Sequence, residues 1–344
     1  MKIITKTITF FLLALIISCS KDDNNVQAPP VTLQPTVKDI YVCGFEFNGA
    51  RNMVAKFWKN GIVTNLTNGS QNASANDIYV SNNDVYVAGY EFDGTKNVAK
   101  YWKNGVATVL TNSTSSGVAN AIMVVGSNIY VAGYIISGGS ETKACYWING
   151  VLVLLSSTSF ESSANSILIN GSDVYAAGYN STISIDIAKY WKNGSETSLT
   201  NGTRNASLFD IFVQNNDVYV TGFEWNSTKI VAKYWKNGNP VDLSDGTKDS
   251  ISLAIKVTGD DVYICGYEVL AISTQAVYWK NGVRTNLTNS TSSGIASDLE
   301  IIGSDIYVVG YEGTKAIIWK NGAATILNEG SFEARAKSIF ISTN

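Results

Sequence analysis

The sequence predicts an all-β protein, a seven-bladed β-propeller with four antiparallel strands per blade. Three observations predict it. The motif Asp84-Val85-Tyr86-Val87-Ala88-Gly89-Tyr90 recurs seven times, with copies starting at 39, 84, 128, 173, 217, 261 and 305, so neighbours lie 44 or 45 residues apart. A second motif, Ala99-Lys100-Tyr101-Trp102-Lys103-Asn104-Gly105, recurs in the same register. It places seven of the eight tryptophans (Trp58, Trp102, Trp147, Trp191, Trp235, Trp279 and Trp319) at one repeat position. Asn-Gly closes that motif in all seven copies and supplies the two positive φ angles of a type I′ hairpin. A repeated meander of about 44 residues is a propeller blade, because each unit buries its faces only against its neighbours.

Within the second copy, strand a is expected near residues 77–80, strand b at 85–90, strand c at 99–103 and strand d at 108–111. The a–b connection is Asn82-Asn83, Gly126-Ser127, Gly171-Ser172, Asn215-Asn216, Gly259-Asp260 or Gly303-Ser304, each suited to a two-residue hairpin. Val85-Tyr86-Val87-Ala88 has no polar face, as expected for a strand covered on both sides. The Gly89 position is expected to admit close approach of a neighbouring blade. The repeated Trp and Tyr positions are expected to be inter-blade packing. Cys43 and Cys265 stand where other copies hold Ala88 or Ala132. With Cys145 they form an odd set without a CxxC pair, which describes buried small residues and neither a disulfide framework nor a zinc site.

The first repeat opens at strand b, residues 39–45, and residues 338–344 form a strand a with no successor. The C-terminal strand is therefore expected to close the first blade, bringing the count to 28 strands and leaving no blade edge unpaired at the seam.

Ahead of the propeller, Lys2 and Lys6 precede an apolar run at residues 8–17, too short to span a bilayer. Ile16-Ile17-Ser18-Cys19 resembles a bacterial lipobox, which implies removal of residues 1–18 as a signal peptide and lipidation of Cys19; an ordinary secretory signal is the alternative. Several acyl chains hold a protein firmly to a membrane. Lys21-Asp22-Asp23 resembles the surface-export signal of Bacteroidota lipoproteins; the alternative is a solvated linker. Residues 19–38 include Pro29, Pro30 and Pro35 without apolar periodicity and read as a flexible tether. The propeller is expected at 39–344.

Chemistry is constrained mainly by what the sequence lacks. It contains no His, which removes imidazole triads, bases and metal ligands together. The formal charge of −3 becomes −5 once Lys2 and Lys6 leave with the signal, and no basic block suggests nucleic acid. Two sets of acids draw notice. Glu46, Glu91, Glu224, Glu268 and Glu312 follow strand b and are expected to ring one face. Asp77, Asp210 and Asp298 open strand a near the axis. Carboxylates converging on a channel mouth can hold Ca²⁺ or a cationic group; the alternatives are solvated strand ends or ties to backbone N–H groups in the turns. Trp225, beside Glu224, is the one Trp outside the repeat position, able to stack on a sugar or anchor a protein. Asp249-Ser250-Ile251 matches an acid–hydroxyl–aliphatic pattern of Bacteroidota O-glycosylation at Ser250.

The repeat, with its Ala-x-aromatic-Trp-x-x-Gly spelling over residues 39–344, resembles the secreted tandem repeats called HAF-type extracellular repeats. It differs in carrying Lys100, Lys103 and Asn104. The resemblance implies a secreted propeller. With no cofactor or catalytic constellation in the sequence, the expected function is a monomeric, outer-membrane, surface-exposed lipoprotein that binds or scaffolds a protein or glycan. The other readings are a carboxylate-dependent carbohydrate-active or other hydrolytic enzyme, and a structural surface-layer protein.

Overall fold

A computed structural model describes residues 36–344 except 137, 157–159, 290 and 329. Cys19, Lys21, Asp22, Asp23 and the tether as far as residue 35 lie outside the described residues. Among the described residues, 28 strands form seven four-stranded sheets. Each sheet is one blade, ordered a-b-c-d from the axis outward. In blade 2 these strands are Ala73–Ser81, Asp84–Phe92, Asn97–Lys103 and Val106–Val109.

The turns follow their residues. Asn104 and Gly105 have φ of 51° and 84°, and the other Asn-Gly pairs match, as type I′ hairpins require. Strand d consequently starts at Val106, two residues before the expected 108, because a two-residue turn leaves no slack. Asn82 and Asn83 are both left-handed, whereas at Gly126-Ser127 only the glycine is, so type I′ and type II′ turns serve the same connection in different blades.

Strand a begins four residues earlier than expected because a β-bulge carries its pairing past an extra residue. The register shifts between Ala75 and Asp77, leaving Asn76 unpaired, and shifts equivalently in all seven blades. The bulge explains the recurrent glycine, and here the structure corrects the expectation. A Cβ on Gly89 would lie 2.0 Å from the Ser74 carbonyl oxygen, in strand a of the same blade. The crowding comes from the blade's own bulged strand, not from a neighbour.

The core lies between blades. Seven apolar clusters each join two adjacent blades. The repeat tryptophans are at most 1% exposed, and Cys43, Cys145 and Cys265 are free and buried, with burial pushing each thiol well above its ordinary range. The seam is built like the other six interfaces. Strand Ala334–Thr343 pairs antiparallel with Val37–Phe47, setting Ile339 opposite Val42 and Ile341 opposite Ile40. Ile339 and Ile341 then pack with Val42 and Trp58 against Tyr307, Val309 and Ala316 of blade 7.

The end of each blade carrying the a–b and c–d turns is fastened by a repeated clasp. Asn104 Nδ2 donates to Asp84 Oδ1 at 2.7 Å, while Asn104 Oδ1 accepts the Val85 N–H at 2.9 Å. Lys103 pairs with Asp84 at 2.8 Å and lies over the Tyr86 ring at 5.2 Å. Six blades repeat this arrangement; blade 3, with Asn128 and Ile148, keeps only the Asn149 part of it. Lys103 and Asn104 thus join two turns.

Candidate functional site

The seven inner strands enclose an axial cavity of about 320 Å³ that opens into a vestibule of about 470 Å³. The vestibule lies at the end where the b–c and d–a loops emerge. Its walls are set by the bulges, which turn one residue per blade toward the axis: Lys337, Asn76, Asn120, Asn165, Phe209, Leu253 and Ser297, in blade order. The three asparagines also tie blades together. Asn76 Nδ2 donates to the Ala119 carbonyl at 2.9 Å, Asn120 Nδ2 to that of Ala164 at 3.0 Å, and Asn165 Nδ2 to that of Leu208 at 2.8 Å. The second N–H of Asn120 meets the Ser163 hydroxyl at 3.3 Å, whereas Asn76 and Asn165 each have a second N–H left. The rim is therefore polar from blade 1 through blade 4 and apolar at Phe209 and Leu253.

One residue further along strand a sit Asp77, Asp210 and Asp298, each beside the axial cavity. They are tied to backbone N–H groups, but within the inner strands and not in the turns. Asp77 Oδ2 accepts the Ile122 N–H of the next blade at 2.7 Å; Asp210 Oδ2 accepts that of Ile255 at 2.9 Å; Asp298 Oδ2 accepts that of Ile339 at 2.9 Å. Their Oδ1 atoms accept the N–H of the following residue, Ile78, Ile211 and Leu299. The Ser338 hydroxyl lies 2.6 Å from Asp77 Oδ1 and 2.8 Å from Asp298 Oδ2. Burial pushes Asp77 up to about 6 and Asp298 up to about 7, and raises Asp210. Deeper in the cavity, Lys256 pairs with Glu300 at 2.6 Å. Against desolvation, the carboxylates of Glu300, Asp298 and Asp210 hold that lysine above its ordinary value.

This arrangement does not suit Ca²⁺, which needs six to eight oxygen ligands. Both oxygens of each aspartate already accept N–H or O–H groups, and among the described residues no cluster of three or more Cys, Asp or Glu is placed to hold a metal ion.

Glu46, Glu91, Glu224, Glu268 and Glu312 stand at the vestibule end, but they do not converge. Glu46 pairs with Lys56 at 2.5 Å, Glu91 with Lys100 at 2.6 Å, Glu224 with Lys233 at 2.9 Å and Glu268 with Arg284 at 2.9 Å. Glu312 accepts the Ser292 hydroxyl at 2.9 Å. These partners lie in strands c and d or in a loop, away from the axis. Trp225 is 41% exposed and does not line the cavity or vestibule. Ser250 is fully buried, its hydroxyl donating to the Tyr267 carbonyl at 3.3 Å, so the folded blade has no room for a glycan there.

The residue just before the glutamate position faces the other way, since successive strand residues alternate. In every blade it is aromatic: Phe45, Tyr90, Tyr134, Tyr179, Phe223, Tyr267 and Tyr311. All seven are half-buried, unlike the tryptophans, so packing between blades covers them only in part. Tyr90 and Tyr134 line the vestibule. Phe223 lies 6.0 Å from Phe209, and the Arg335 guanidinium stacks on Tyr311 at 3.6 Å. Burial raises the hydroxyls of Tyr90, Tyr134, Tyr179 and Tyr267 above their ordinary value.

The chain is thus a closed seven-bladed β-propeller with a half-polar axial mouth, and Tyr90 and Tyr134 stand in the vestibule wall. No family model and no curated protein matches it. Among solved structures it is similar to a puromycin-hydrolysing peptidase of Mycobacterium tuberculosis, with 10% identity and a TM-score of 0.58 over 86% of this chain and 52% of that one. The chain spans about half the length of that peptidase, and the likeness shows the fold alone.

Proposed function

We propose that the protein is a non-catalytic binding propeller, lipid-anchored at the outer-membrane surface, that takes a glycan at the vestibule. The observation that carries this is a vestibule wall holding the half-buried rings of Tyr90 and Tyr134 beside Asn76 and Asn165, whose amides each have an N–H to spare. Aromatic faces stack on the C–H faces of sugars, and amide groups meet hydroxyls at the rim. The hydrolytic alternative needs two carboxylates facing a scissile bond at a set separation; here the axial carboxylates are spent on backbone and serine. A glycan array probed with the full chain is expected to show binding that Tyr90→Ala with Tyr134→Ala weakens at least tenfold. An array without binding would overturn the glycan reading.

The anchor rests on Cys19 and Lys21-Asp22-Asp23. Cys19→Ala is expected to release soluble protein or leave an unprocessed precursor. Replacing Lys21, Asp22 and Asp23 with Ala is expected to protect the lipoprotein from protease added to intact cells. Equal digestion of that variant and the wild type would remove surface export from the proposal.

A further inference from the structure

Lys337 is the vestibule's one bulge residue that carries a charge. It stands in blade 1 between the Phe45 ring, 5.8 Å from its Nζ, and Asn76, whose Oδ1 accepts from Nζ at 3.1 Å. The other cations near the mouth are spent. Arg335 pairs with Glu333 at 2.5 Å and donates to the Gly313 and Ala334 carbonyls at 3.0 Å. Lys256 has Glu300. For Lys337, no carboxylate among the described residues lies within ion-pair distance, although the side chain is only partly exposed. Desolvation accordingly lowers the affinity of its amine for a proton. A partly buried ammonium without a counter-charge is costly unless something supplies the charge.

The surroundings say what would supply it. Asn76, Asn120 and Asn165 continue from Lys337 along one arc of the rim, Asn76 and Asn165 each with an amide N–H to spare, and Phe209 with Leu253 forms the facing apolar wall. A ligand matching this rim carries one anionic group, hydroxyls beside it and an apolar face opposite. We infer that the vestibule binds a sugar bearing a single carboxylate, with the carboxylate on Lys337 Nζ, the hydroxyls on the asparagine arc and the C–H face toward Phe209. The inference rests on the glycan-binding reading and names its ligand class.

The test uses the full chain and two pairs of probes, methyl glucuronoside and N-acetylneuraminic acid, each compared with its uncharged methyl ester. Each acid is offered free and at the end of an oligosaccharide, which separates a free sugar acid from a glycan terminus as the source. At least one acid is expected to bind, at least tenfold more tightly than its ester, with affinity falling as salt rises. Lys337→Met should abolish that preference and Lys337→Arg should keep part of it. A thermal melt shows that each variant is folded, and Lys337→Gln gives a second neutral variant if methionine disturbs the seam. Esters binding as well as acids would overturn the inference, as would Lys337→Met or Lys337→Gln binding acids like wild type. Binding confined to neutral glycans would overturn it while leaving the glycan reading standing. No binding of any glycan would remove both.

Discussion

Deleting residues 335–344 is expected to abolish cooperative folding or lower the melting temperature drastically. The deletion removes the inner strand of blade 1 and exposes the edge of strand Val37–Phe47. Ile339 and Ile341 leave a buried cluster, at a cost of about 1.5–3 kcal/mol each. Phe340 counts for less than its size suggests, because it is only half-buried and packs edge-on against Tyr79 at 5.0 Å. The polar losses add to this. Asp298 loses the Ile339 N–H and the Ser338 hydroxyl, and Asp77 loses that same hydroxyl. Buried carboxyl groups stripped of partners carry their full desolvation penalty. Against a typical net stability of about 5–15 kcal/mol, the sum leaves little. Deleting residues 24–33 of the tether is expected to change the melt little. Thermal melts of the two deletions provide the comparison; a C-terminal deletion melting like wild type would contradict closure by this strand.

Stability is expected to fall as pH rises from about 4 to about 7. Asp77 and Asp298 are pushed by burial up to about 6 and about 7 from an ordinary 3.8. Well below pH 3.8 both groups are protonated in the folded and the unfolded chain, and no penalty exists. Between 4 and 7 the unfolded chain ionises freely while the folded one resists, so the folded chain binds more protons and loses stability with rising pH. The hydroxyl geometry points the same way. Ser338 has one hydrogen yet contacts both carboxyl groups within 2.8 Å, so one contact is made by a proton on an aspartic acid. A two-unit shift corresponds to about 3 kcal/mol, or roughly 5 °C in melting temperature for a chain of this size. The clasp aspartates Asp39, Asp84, Asp173, Asp217, Asp261 and Asp305 are shifted downward by their asparagine and lysine partners and titrate below this window. Asp298→Asn is expected to flatten the pH profile, although its amide nitrogen cannot accept the Ile339 N–H and the variant starts less stable. Melts from pH 4 to 8 decide it, and an unchanged slope in the variant would rule the shared proton out.

The architecture was legible because a 44- or 45-residue period with Asn-Gly in every copy leaves few other folds, and the missing strand a in the first copy located the seam. The vestibule was not legible, for two physical reasons. A bulge breaks the two-residue alternation, so no pattern along strand a announces that Asn76 or Lys337 faces the axis. The rim position also differs from blade to blade, and repeats draw attention to what is constant. Aligning the seven residues that precede the Asp77 position would have shown Lys337, Phe209 and Leu253 as departures. The glutamates misled for the opposite reason. They recur and sit at the right end, but each is held by a lysine, an arginine or a serine of strand c, strand d or a loop, while the aromatic residue before each lies on the opposite face of the blade. Lys103 and Asn104 showed as an unusual spelling, and their meaning needed Asp84 and Tyr86 beside them.

The uneven rim has a consequence for how the ring meets a ligand. Seven identical rim residues would offer seven equivalent rotational settings, a degeneracy worth about 1.1 kcal/mol in binding free energy. With lysine, three amides, two apolar side chains and a serine in sequence around the axis, those settings are no longer equivalent. Under the proposed glycan binding, the molecule would give up the statistical advantage of its own repetition and hold a guest in one azimuth, so seven copies of one unit would serve as a monovalent receptor with a defined heading.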